Sequence, residues 1–263
     1  MDILRKIIST KCARLEAAKG AISESQLRQQ AIAVRRSAKP HALVKALRGD
    51  SRVKIIAEFK RRSPSQGVIR DDVSAETMAR FYESGGAAAI SVLTEEDFFG
   101  GSLEDLRSVR NTVSLPVLRK DFIFDEYQIY ESAVAGADAL LLIAAALDDH
   151  SLVNLRRITE DELKLDALVE VHTKEELRRA TAVGSTLIGV NNRDLKTFAV
   201  SLQTSVELSR DAQPEAILIS ESGLNTRAEL EELTRLGYKG FLIGESLMRA
   251  RRPDQTLRDL MGG

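Results

Sequence analysis

The sequence predicts an α/β protein, namely a closed (β/α)8 barrel preceded by an N-terminal helical extension. First, from residue 53 onward, eight short apolar segments alternate with eight amphipathic helical segments. Second, the apolar segments are hydrophobic almost throughout, which is typical of parallel strands covered on both faces. Third, eight such units in about 210 residues match a closed barrel better than an open sheet. A doubly wound open sheet of eight strands is the alternative.

The predicted extension covers residues 1–50, and the barrel covers residues 51–263. Apolar residues recur in the extension at helical spacing, at Leu4, Ile7, Ile8 and Leu15, and this pattern predicts two or three helices. The extension ends in a basic run, AVRRSAKPHALVKALRG (33–49). Because charged runs usually lie in solvent, we interpret this one as a solvated helical face.

The eight strand–helix units follow one another in order. Their segments are VKIIAEFK and SAETMARFYESGG, AAAISVL and SLEDLRSVRN, LPVLRKDF and DEYQIYESAVAG, ADALLLIAA and LDDHSLVNLRRI, DALVEVH and TKEELRRATAVG, STLIGVNN and SLQTSVELSR, EAILISES and NTRAELEELTRLG, and YKGFLIGES with a closing helix. Capping preferences predict helix starts at Ser74, Asp125, Thr173 and Asn225. Glycines predict helix ends, namely Gly85, Gly136, Gly184 and Gly237.

The composition argues against several classes of protein. The net charge is −1, with 38 basic and 39 acidic residues, so we expect no nucleic-acid partner. The apolar runs are too short to span a bilayer, and the charged, amphipathic start is unlike a secretory signal. One cysteine and three scattered histidines offer none of the usual metal-ligand spacings. A single cysteine cannot form an intrachain disulfide, which suits a protein of the reducing cytosol. We expect a metal-free cytoplasmic protein, monomeric or weakly dimeric.

Glu170 is the clearest sign of a functional site. It lies in ALVEVHT (167–173), an apolar strand segment with no neighbouring Lys or Arg. A carboxylate in apolar surroundings costs several kcal/mol unless it is paired or protonated. Other strand segments also end in polar residues, namely Glu58, Lys60, Lys120, Asn191, Arg193, Glu221 and Ser222.

In a closed barrel, the carboxyl ends of the strands surround one cleft, where the active sites of this fold lie. We therefore expect Lys60, Lys120 and Arg193 to converge on Glu170 and to tune its proton affinity for acid–base chemistry. Taken singly, each polar residue is better explained as an ordinary strand end that meets solvent. Their occurrence at five strand ends favours a site.

Glycine-containing turns follow the first, seventh and eighth strands, in RRSPSQG, ISESGLNTR and LIGESLM. In barrels, the turns after strands seven and eight often hold a phosphate through backbone N–H groups. Gly223 and Gly244 would let the backbone approach such an anion closely. Any strand-to-helix turn can need a glycine, so ordinary turns are the alternative. The pairing at these two units favours a phosphate site.

With these residues identified, the chain resembles the indole-3-glycerol phosphate synthase family. The matching motifs are IAEFKRRSPSQG (56–67), SVLTEEDFFGGSLEDL (91–106), LPVLRKDFIFDEYQI (115–129), LVEVHTKEEL (168–177), IGVNNRDLKTF (188–198), ISESGL (219–224) and FLIGESLM (241–248). They occur in order and cover every unit except the fourth. The N-terminal helices are similar to the family's extension, which lies over the mouth of the barrel.

The resemblance implies that the chain closes the indole ring of a small phosphorylated substrate. In the family, 1-(2-carboxyphenylamino)-1-deoxyribulose 5-phosphate gives indole-3-glycerol phosphate, carbon dioxide and water, and no cofactor is implied. By the match, Lys120 acts on the ketone oxygen, and Lys60 opposes the substrate carboxylate until it leaves. Glu170 is the principal acid/base of the dehydration. Its division of labour with Glu58 and Lys60 stays open.

The resemblance also implies where the substrate is held. Asn191, Arg193, Glu221 and Ser222 match positions that hold substrate or orient the charges. The phosphate positions match Ser63, Gly223, Gly244 and the backbone of Glu245, and the apolar positions match Pro64, Phe99, Leu195 and Leu242. Glu245 stands where many members carry Ser. A carboxylate would repel phosphate, so we expect its side chain to point away.

Three rival functions fit a barrel with these residues. A phosphoribosylanthranilate isomerase would bind a similar anilino-sugar phosphate, but its chemistry uses a Cys/Asp pair at strand ends, and Cys12 lies in the predicted extension. A class I aldolase would use Lys60 or Lys120 as a Schiff-base lysine. A barrel that binds a phosphorylated ligand without turnover is the non-enzyme alternative.

Overall fold

A computed structural model of the chain describes residues 3–49 and 53–262. Eight parallel strands close into a barrel, in which the first strand pairs with both the second and the eighth. The strands are β1 Ile55–Phe59, β2 Ala89–Leu93, β3 Val117–Lys120, β4 Ala139–Ile143, β5 Asp166–Val171, β6 Leu187–Asn191, β7 Ile217–Glu221 and β8 Gly240–Ile243. The register of the closing pair aligns Ile56 with Leu242. This closure confirms the barrel and rules out the doubly wound open sheet.

Helices separate the strands as the sequence predicts. They are α1 Ile3–Ala21, α2 Glu24–Arg35, α3 Ala42–Leu47, α4 Ala75–Ser84, α5 Leu103–Thr112, α6 Glu126–Ala135, α7 Asp149–Arg157, α8 Lys174–Ala182, α9 Gln203–Ser209, α10 Arg227–Arg235, α11 Glu245–Arg249 and α12 Pro253–Met261. A 3-10 turn, Ala144–Ala146, precedes α7, and a π turn, Ile158–Glu162, follows it. Two short strands, Arg62–Ser63 and Gly67–Val68, pair in the loop after β1. Among the described helices, none is long and apolar enough to cross a membrane.

Capping explains where several helices begin. Ser74, Asp125 and Thr173 each accept a hydrogen bond from the first turn of the next helix, as predicted. The prediction for α10 was wrong by one residue. Thr226, not Asn225, is the N-cap, and it forms a capping box with Glu229. Because Asn and Thr are both good caps and stand side by side, the sequence pattern alone did not distinguish them.

The strands separate two layers of apolar side chains. Alternate residues of each strand face opposite ways, as the strand period of two requires. Ile55, Ala57 and Phe59 of β1 pack in the layer between strands and helices, whereas Ile56 faces the barrel interior. The interior layer also contains Leu118, Leu168, Ile219 and Leu242. Charged residues at inward-facing positions further along a strand therefore lie at the carboxyl end of the barrel, above this packed apolar layer.

The N-terminal helices take three different places, so the expectation that they lie over the mouth is right only for α1. At the mouth, α1 is bound to the loops that follow β2 and β3, and Lys11 Nζ lies 2.8 Å from Asp121 Oδ1. Helix α2 packs against α6 on the outside. Helix α3 closes the opposite, N-terminal end, where the buried Leu43 and Leu47 join the interior layer.

The basic run 33–49 is therefore not simply a solvated face. Arg35 Nε donates to Leu163 O at 2.9 Å, and its side chain is almost fully buried. The two buried leucines of α3 each contribute about 1.5–3 kcal/mol of apolar burial. Leu47 reaches so close to β8 that a methyl group added at Gly240 would lie 3.0 Å from its Cδ2 atom. The apolar residues in the run, rather than its charges, decide its place.

Asp166 anchors α3 to the barrel, and we expect its loss to be costly. Its Oδ2 atom accepts from Leu43 N at 2.8 Å and Val44 N at 3.0 Å, which is the role of an N-cap supplied by β5. Asp166→Ala leaves buried N–H groups unpaired, so the free energy of unfolding should fall by roughly 2–4 kcal/mol in urea denaturation. The exposed Asp211→Ala is the control, with a change within about 0.5 kcal/mol. Equal stability of both variants would contradict the anchoring role.

Candidate active site

A cavity of about 750 Å³ opens at the carboxyl ends of the strands. All sixteen residues that the sequence analysis assigned to a site line it, from Glu58 in β1 to Glu245 after β8. Charges from several strands thus share one concave space, as the barrel geometry predicts. The cavity also has walls that the sequence analysis did not predict, namely Ile3, Leu4 and Ile7 of α1, Phe122 after β3 and Arg249 of α11.

Lys120 stands at the centre of the charged groups. Its Nζ atom lies 3.0 Å from Glu170 Oε2 and 3.4 Å from Glu221 Oε2. The three side chains come from β3, β5 and β7 and are at most 14% exposed. A single buried cation therefore serves two buried carboxylates. Asn191 also lies close enough to Glu170 to help lower the pKa of that carboxylate.

A second pair lies across the mouth from these groups. Lys60 Nζ donates to Glu58 Oε1 at 2.7 Å, and the Glu58 side chain is 4% exposed. The two residues are separated by one position, as expected for neighbours on the same strand face. The lysine is more open, with 20% of its side chain exposed. Lys60 therefore lines the cavity while its amino group donates a hydrogen bond to a buried carboxylate.

Two glycines make room for the acids. A methyl group built on Gly189 would lie 2.2 Å from Glu221 Oε1, and one built on Gly244 would lie 2.5 Å from Glu58 Oε1. Real side chains do not approach so closely, so any larger residue would displace these carboxylates. Gly189 is inside β6, where glycine costs stability and marks a close approach. Its presence is explained by the space that Glu221 occupies.

The expected set of cations around Glu170 is only partly right. Lys120 contacts Glu170 as predicted, but Lys60 pairs with Glu58 instead. Arg193 is held by its own loop, because its Nη1 atom donates to Phe198 O at 3.1 Å and its backbone N–H to Asn191 Oδ1 at 3.0 Å. The other charged neighbour of Glu170 is His172, whose Nε2 atom lies 3.4 Å from Glu170 Oε1.

Burial and charge divide the protons among these groups. Burial by itself lowers the pKa of Lys120, but Glu170, Glu221 and Glu58 outweigh it, and the pKa lies well above its ordinary value. Burial, the largest single effect, raises the pKa of Glu170, but the charges of Lys120 and His172 and the hydrogen bonds to the carboxylate together outweigh it, so its pKa is lowered. For Glu221, burial prevails over Lys120 and raises the pKa to about 8. Near neutral pH the site holds an ammonium, a carboxylate and a protonated carboxylic acid.

One wall of the cavity is apolar. Phe99 and Phe122 face each other with ring centroids 5.9 Å apart, and Pro64 and Leu195 lie on the same cavity. Phe99 is held in place by Glu95, whose Oε2 atom accepts from its backbone N–H at 3.0 Å. Such a wall suits an aromatic ring, because ring faces and edges pack favourably at these distances.

The far side of the cavity is built from the turns after β1, β7 and β8. Ser63, Gly223 and Gly244 lie there, and Gly223 has φ of 77°, which glycine adopts without strain. The Glu245 carboxylate accepts from Arg249 Nε at 3.1 Å. Its negative charge is therefore paired with a cation, and the expectation that it points away from a phosphate stays a prediction. Ser222 and Gly223 both have positive φ, so the turn after β7 is sharply bent.

Among the residues that the structure describes, one cluster of acidic side chains is close enough together to bind a cation. It consists of Glu95, Glu96 and Asp97. Local contacts already account for each member. Glu95 accepts from three backbone N–H groups of its own loop. Glu96 pairs with Lys11, and Asp97 pairs with Arg14. These acids fasten α1 to the loop after β2, and they do not form part of the cavity's charged centre.

Comparison with known proteins agrees with the resemblance. A sequence model of the indole-3-glycerol phosphate synthase family matches residues 4–260. The indole-3-glycerol phosphate synthase of Syntrophobacter fumaroxidans is 47% identical over 99% of this chain and 98% of its own length. That of Carboxydothermus hydrogenoformans is 44% identical over 98% of this chain and 99% of its own.

Two solved structures share the fold alone. The N-acetylmannosamine-6-phosphate 2-epimerase from Clostridium perfringens superposes with a TM-score of 0.62 at 17% identity, covering 84% of this chain and 96% of its own. The thiamine phosphate pyrophosphorylase from Pyrococcus furiosus superposes with a TM-score of 0.59 at 13% identity, covering 80% and 94%. At these identities the likeness concerns the architecture, and the chemistry must be argued from the cavity itself.

Proposed function

We propose, because the chain belongs to the indole-3-glycerol phosphate synthase family, that it converts 1-(2-carboxyphenylamino)-1-deoxyribulose 5-phosphate into indole-3-glycerol phosphate, carbon dioxide and water. The enzyme would be a carboxy-lyase of tryptophan biosynthesis. The observation that supports this most is the position of Lys120, a buried cation between two carboxylates at the mouth of the barrel. The reaction needs a strong positive charge there, as its first step explains.

In the first step, a ring carbon attacks the ketone carbon, and negative charge develops on the ketone oxygen. Lys120 is the group we assign to that oxygen, because its raised pKa keeps it protonated. The new carbon–carbon bond forms as the ketone oxygen takes up a proton and becomes a hydroxyl. The contacts of Lys120 with Glu170 and Glu221 hold its amino group in place, so little reorganisation is needed.

In the second step, the substrate carboxylate leaves as carbon dioxide, and its bonding electron pair returns to the ring. Restored aromaticity drives this loss, so no cofactor is required. Lys60 is the counter-charge that we assign to the carboxylate before it leaves. Lys60 lines the cavity, and its amino group donates to Glu58 there. The aromatic ring would lie against Phe99, Pro64 and Leu195.

In the third step, water leaves, and the reaction needs both a base for a proton and an acid for the hydroxyl. Glu170 is the principal acid/base in this assignment, because its lowered pKa keeps it ionised and ready to accept a proton. Glu58 and Lys60 form a second pair on the cavity, and their side chains, 2.7 Å apart, can exchange a proton. Protonated Glu221 holds Lys120 without adding a second negative charge.

The phosphate would lie against Ser63, Gly223 and the backbone of Gly244 and Glu245. Backbone N–H groups in glycine turns bind phosphate without a competing side chain. Glu245 keeps its carboxylate on Arg249 and away from the anion in this arrangement. Asn191, Arg193 and Ser222 complete the contacts to the sugar chain, and Leu242 forms part of the floor.

The rival functions have less support. Cys12 is exposed on α1 and does not line the cavity, which removes the thiol that an isomerase of the Cys/Asp type would use. Lys60 and Lys120 each share hydrogen bonds with carboxylates, whereas a Schiff-base lysine needs a neutral amine. For the protein as a whole we propose a cytoplasmic monomer or weak homodimer.

The decisive experiment is a fluorescence assay of indole formation from the carboxyphenylamino sugar phosphate. We expect the purified chain to turn over at the rate of an ordinary biosynthetic enzyme, on the order of 1–10 per second. The matched control is the chain preincubated with borohydride together with the carbonyl substrate and then freed of both. This treatment inactivates a Schiff-base aldolase. Turnover that survives borohydride supports the proposal. A protein that binds the substrate but forms no indole would contradict it.

A further inference from the structure

His172 stands behind Glu170, outside the cavity. It follows Glu170 by two residues, so both side chains leave β5 and its tip on the same face. The His172 Nε2 atom lies 3.4 Å from Glu170 Oε1, and its Nδ1 atom lies 3.2 Å from Glu176 Oε2. The imidazole is 11% exposed and does not line the cavity. A carboxylate–imidazole–carboxylate row therefore leads from the site to α8.

The two ring nitrogens have different partners. Glu176 is ionised, because His172 and two further hydrogen bonds outweigh burial and lower its pKa. An ionised carboxylate only accepts, so the proton of the neutral imidazole is on Nδ1. The Nε2 atom is buried and has no hydrogen-bond partner in the described part of the chain. This Nε2 atom can therefore accept a proton from Glu170 Oε1, which lies 3.4 Å away.

We propose that His172 is a positioning residue for the acid/base, and that it exchanges one proton with Glu170 during the reaction. When Glu170 has taken a proton from substrate, Nε2 of neutral His172 accepts that proton, which leaves a carboxylate and an imidazolium. The reverse transfer returns the proton to Glu170. One O–H bond breaks and one N–H bond forms, so no other reactant is needed. This inference rests on the proposed function.

The surrounding charges favour this exchange. Glu170 and Glu176 face the imidazole from β5 and α8, Glu221 faces it from β7, and Lys120 of β3 faces Glu170. Burial lowers the pKa of His172, but the hydrogen bond that it donates to Glu176 and the charges of Glu170 and Glu176 outweigh it, and the net pKa is raised. The imidazolium is thus stable next to Glu170. In turn, its charge stabilises the Glu170 carboxylate.

A purely structural role is the alternative. The His172 backbone N–H donates to Glu176 Oε2 at 2.7 Å, which fastens the start of α8 whatever the side chain does. His172→Gln preserves that backbone contact and a polar side chain, but it cannot carry a proton. Glu176→Gln keeps an acceptor for the backbone N–H and removes the charge. Glu175→Gln is the matched control, an exposed acid in the same first turn that pairs with Arg178.

The test is the pH profile of turnover by these three variants. The exchange needs neutral His172, whose pKa is raised, so the acidic limb of the wild-type kcat profile should follow the imidazole. In His172→Gln the limb should move to lower pH, because only Glu170, whose pKa is lowered, is left to titrate. We expect kcat to fall at least about tenfold with KM within about twofold, since acid–base groups contribute roughly 10²–10⁴-fold. Glu176→Gln should move the limb in the same direction and by less. Glu175→Gln should match wild type.

Two results would overturn the inference. An unchanged kcat and acidic limb in His172→Gln, with wild type active, would leave His172 a structural residue. A silent wild type would instead refute the proposed function, and proton NMR then decides on His172 alone. Its pKa should fall in Glu170→Gln relative to wild type. Titration that ignores the Glu170 substitution would disprove the coupling.

Discussion

We expect Lys120→Met to lower kcat by at least about 10³-fold while the protein still binds its product. The ammonium would stabilise the charge that develops on the ketone oxygen, and removing one such donor typically costs about 10²–10³-fold. Here the same group also holds Glu170 and Glu221, so the loss should be larger. Methionine fills a similar volume. The measurement is indole formation under saturating substrate, with binding followed by titration of indole-3-glycerol phosphate.

The fate of the two carboxylates provides an independent check on Lys120→Met. Without the cation, nothing offsets the burial of Glu170, so Glu170 also takes up a proton and the pair that it forms with protonated Glu221 becomes neutral. The variant should therefore fold and should become more stable as the pH falls from 7 to 5. Lys174→Met, at an exposed lysine that pairs with Asp211, is the control and should keep wild-type activity. A Lys120→Met enzyme that keeps most of its activity would contradict the role of Lys120 while leaving the family unaffected.

The order of strands and helices could be predicted because local signals agreed. Apolar segments alternate with capped helical segments, and eight units close a barrel with few other solutions. The position of α3 could not be predicted. Leu43 and Leu47 are four residues apart inside a basic run, and helical periodicity does not tell which end of a barrel such a face will close. Only the completed barrel provides the apolar end that these leucines fill.

The membership of the site could be predicted better than its internal pairing. Residues at strand ends must meet at one end of a barrel, so Glu58 and Glu245 line the same cavity although 187 positions separate them. Which lysine pairs with which acid depends on side-chain reach across the mouth. Lys60 therefore pairs with Glu58, and Lys120 with Glu170, although the sequence predicted that both lysines would converge on Glu170.

His172 was missed although a signal for it existed. The period of two that places Glu58 and Lys60 on one face also places Glu170 and His172 on one face. The segment LVEVHTKEEL contains Glu176 at a helical distance beyond it. By contrast, nothing in the sequence could indicate the role of Gly189. A glycine inside a strand is explained only when the carboxylate that occupies its missing side-chain space is known.

Glu170→Gln should lower kcat by roughly 10²–10⁴-fold, the usual contribution of a general acid/base. Glutamine keeps an oxygen for Lys120 at the same place, but it cannot take up a proton at any pH. The loss should therefore persist across the pH range, unlike the shifted limb expected of His172→Gln. Substrate binding should change little, because the charge of Lys120 remains.

The sharper test separates the steps of the reaction in a single turnover. Lys120 is intact in Glu170→Gln, so ring closure and loss of carbon dioxide should still proceed, and dehydration should stall. Labelled carbon dioxide should appear before indole fluorescence in this variant, whereas both should stop together in Lys120→Met. If carbon dioxide and indole slow equally in Glu170→Gln, Glu170 acts at ring closure. Dehydration then belongs to Glu58 and Lys60, the second pair that faces the cavity.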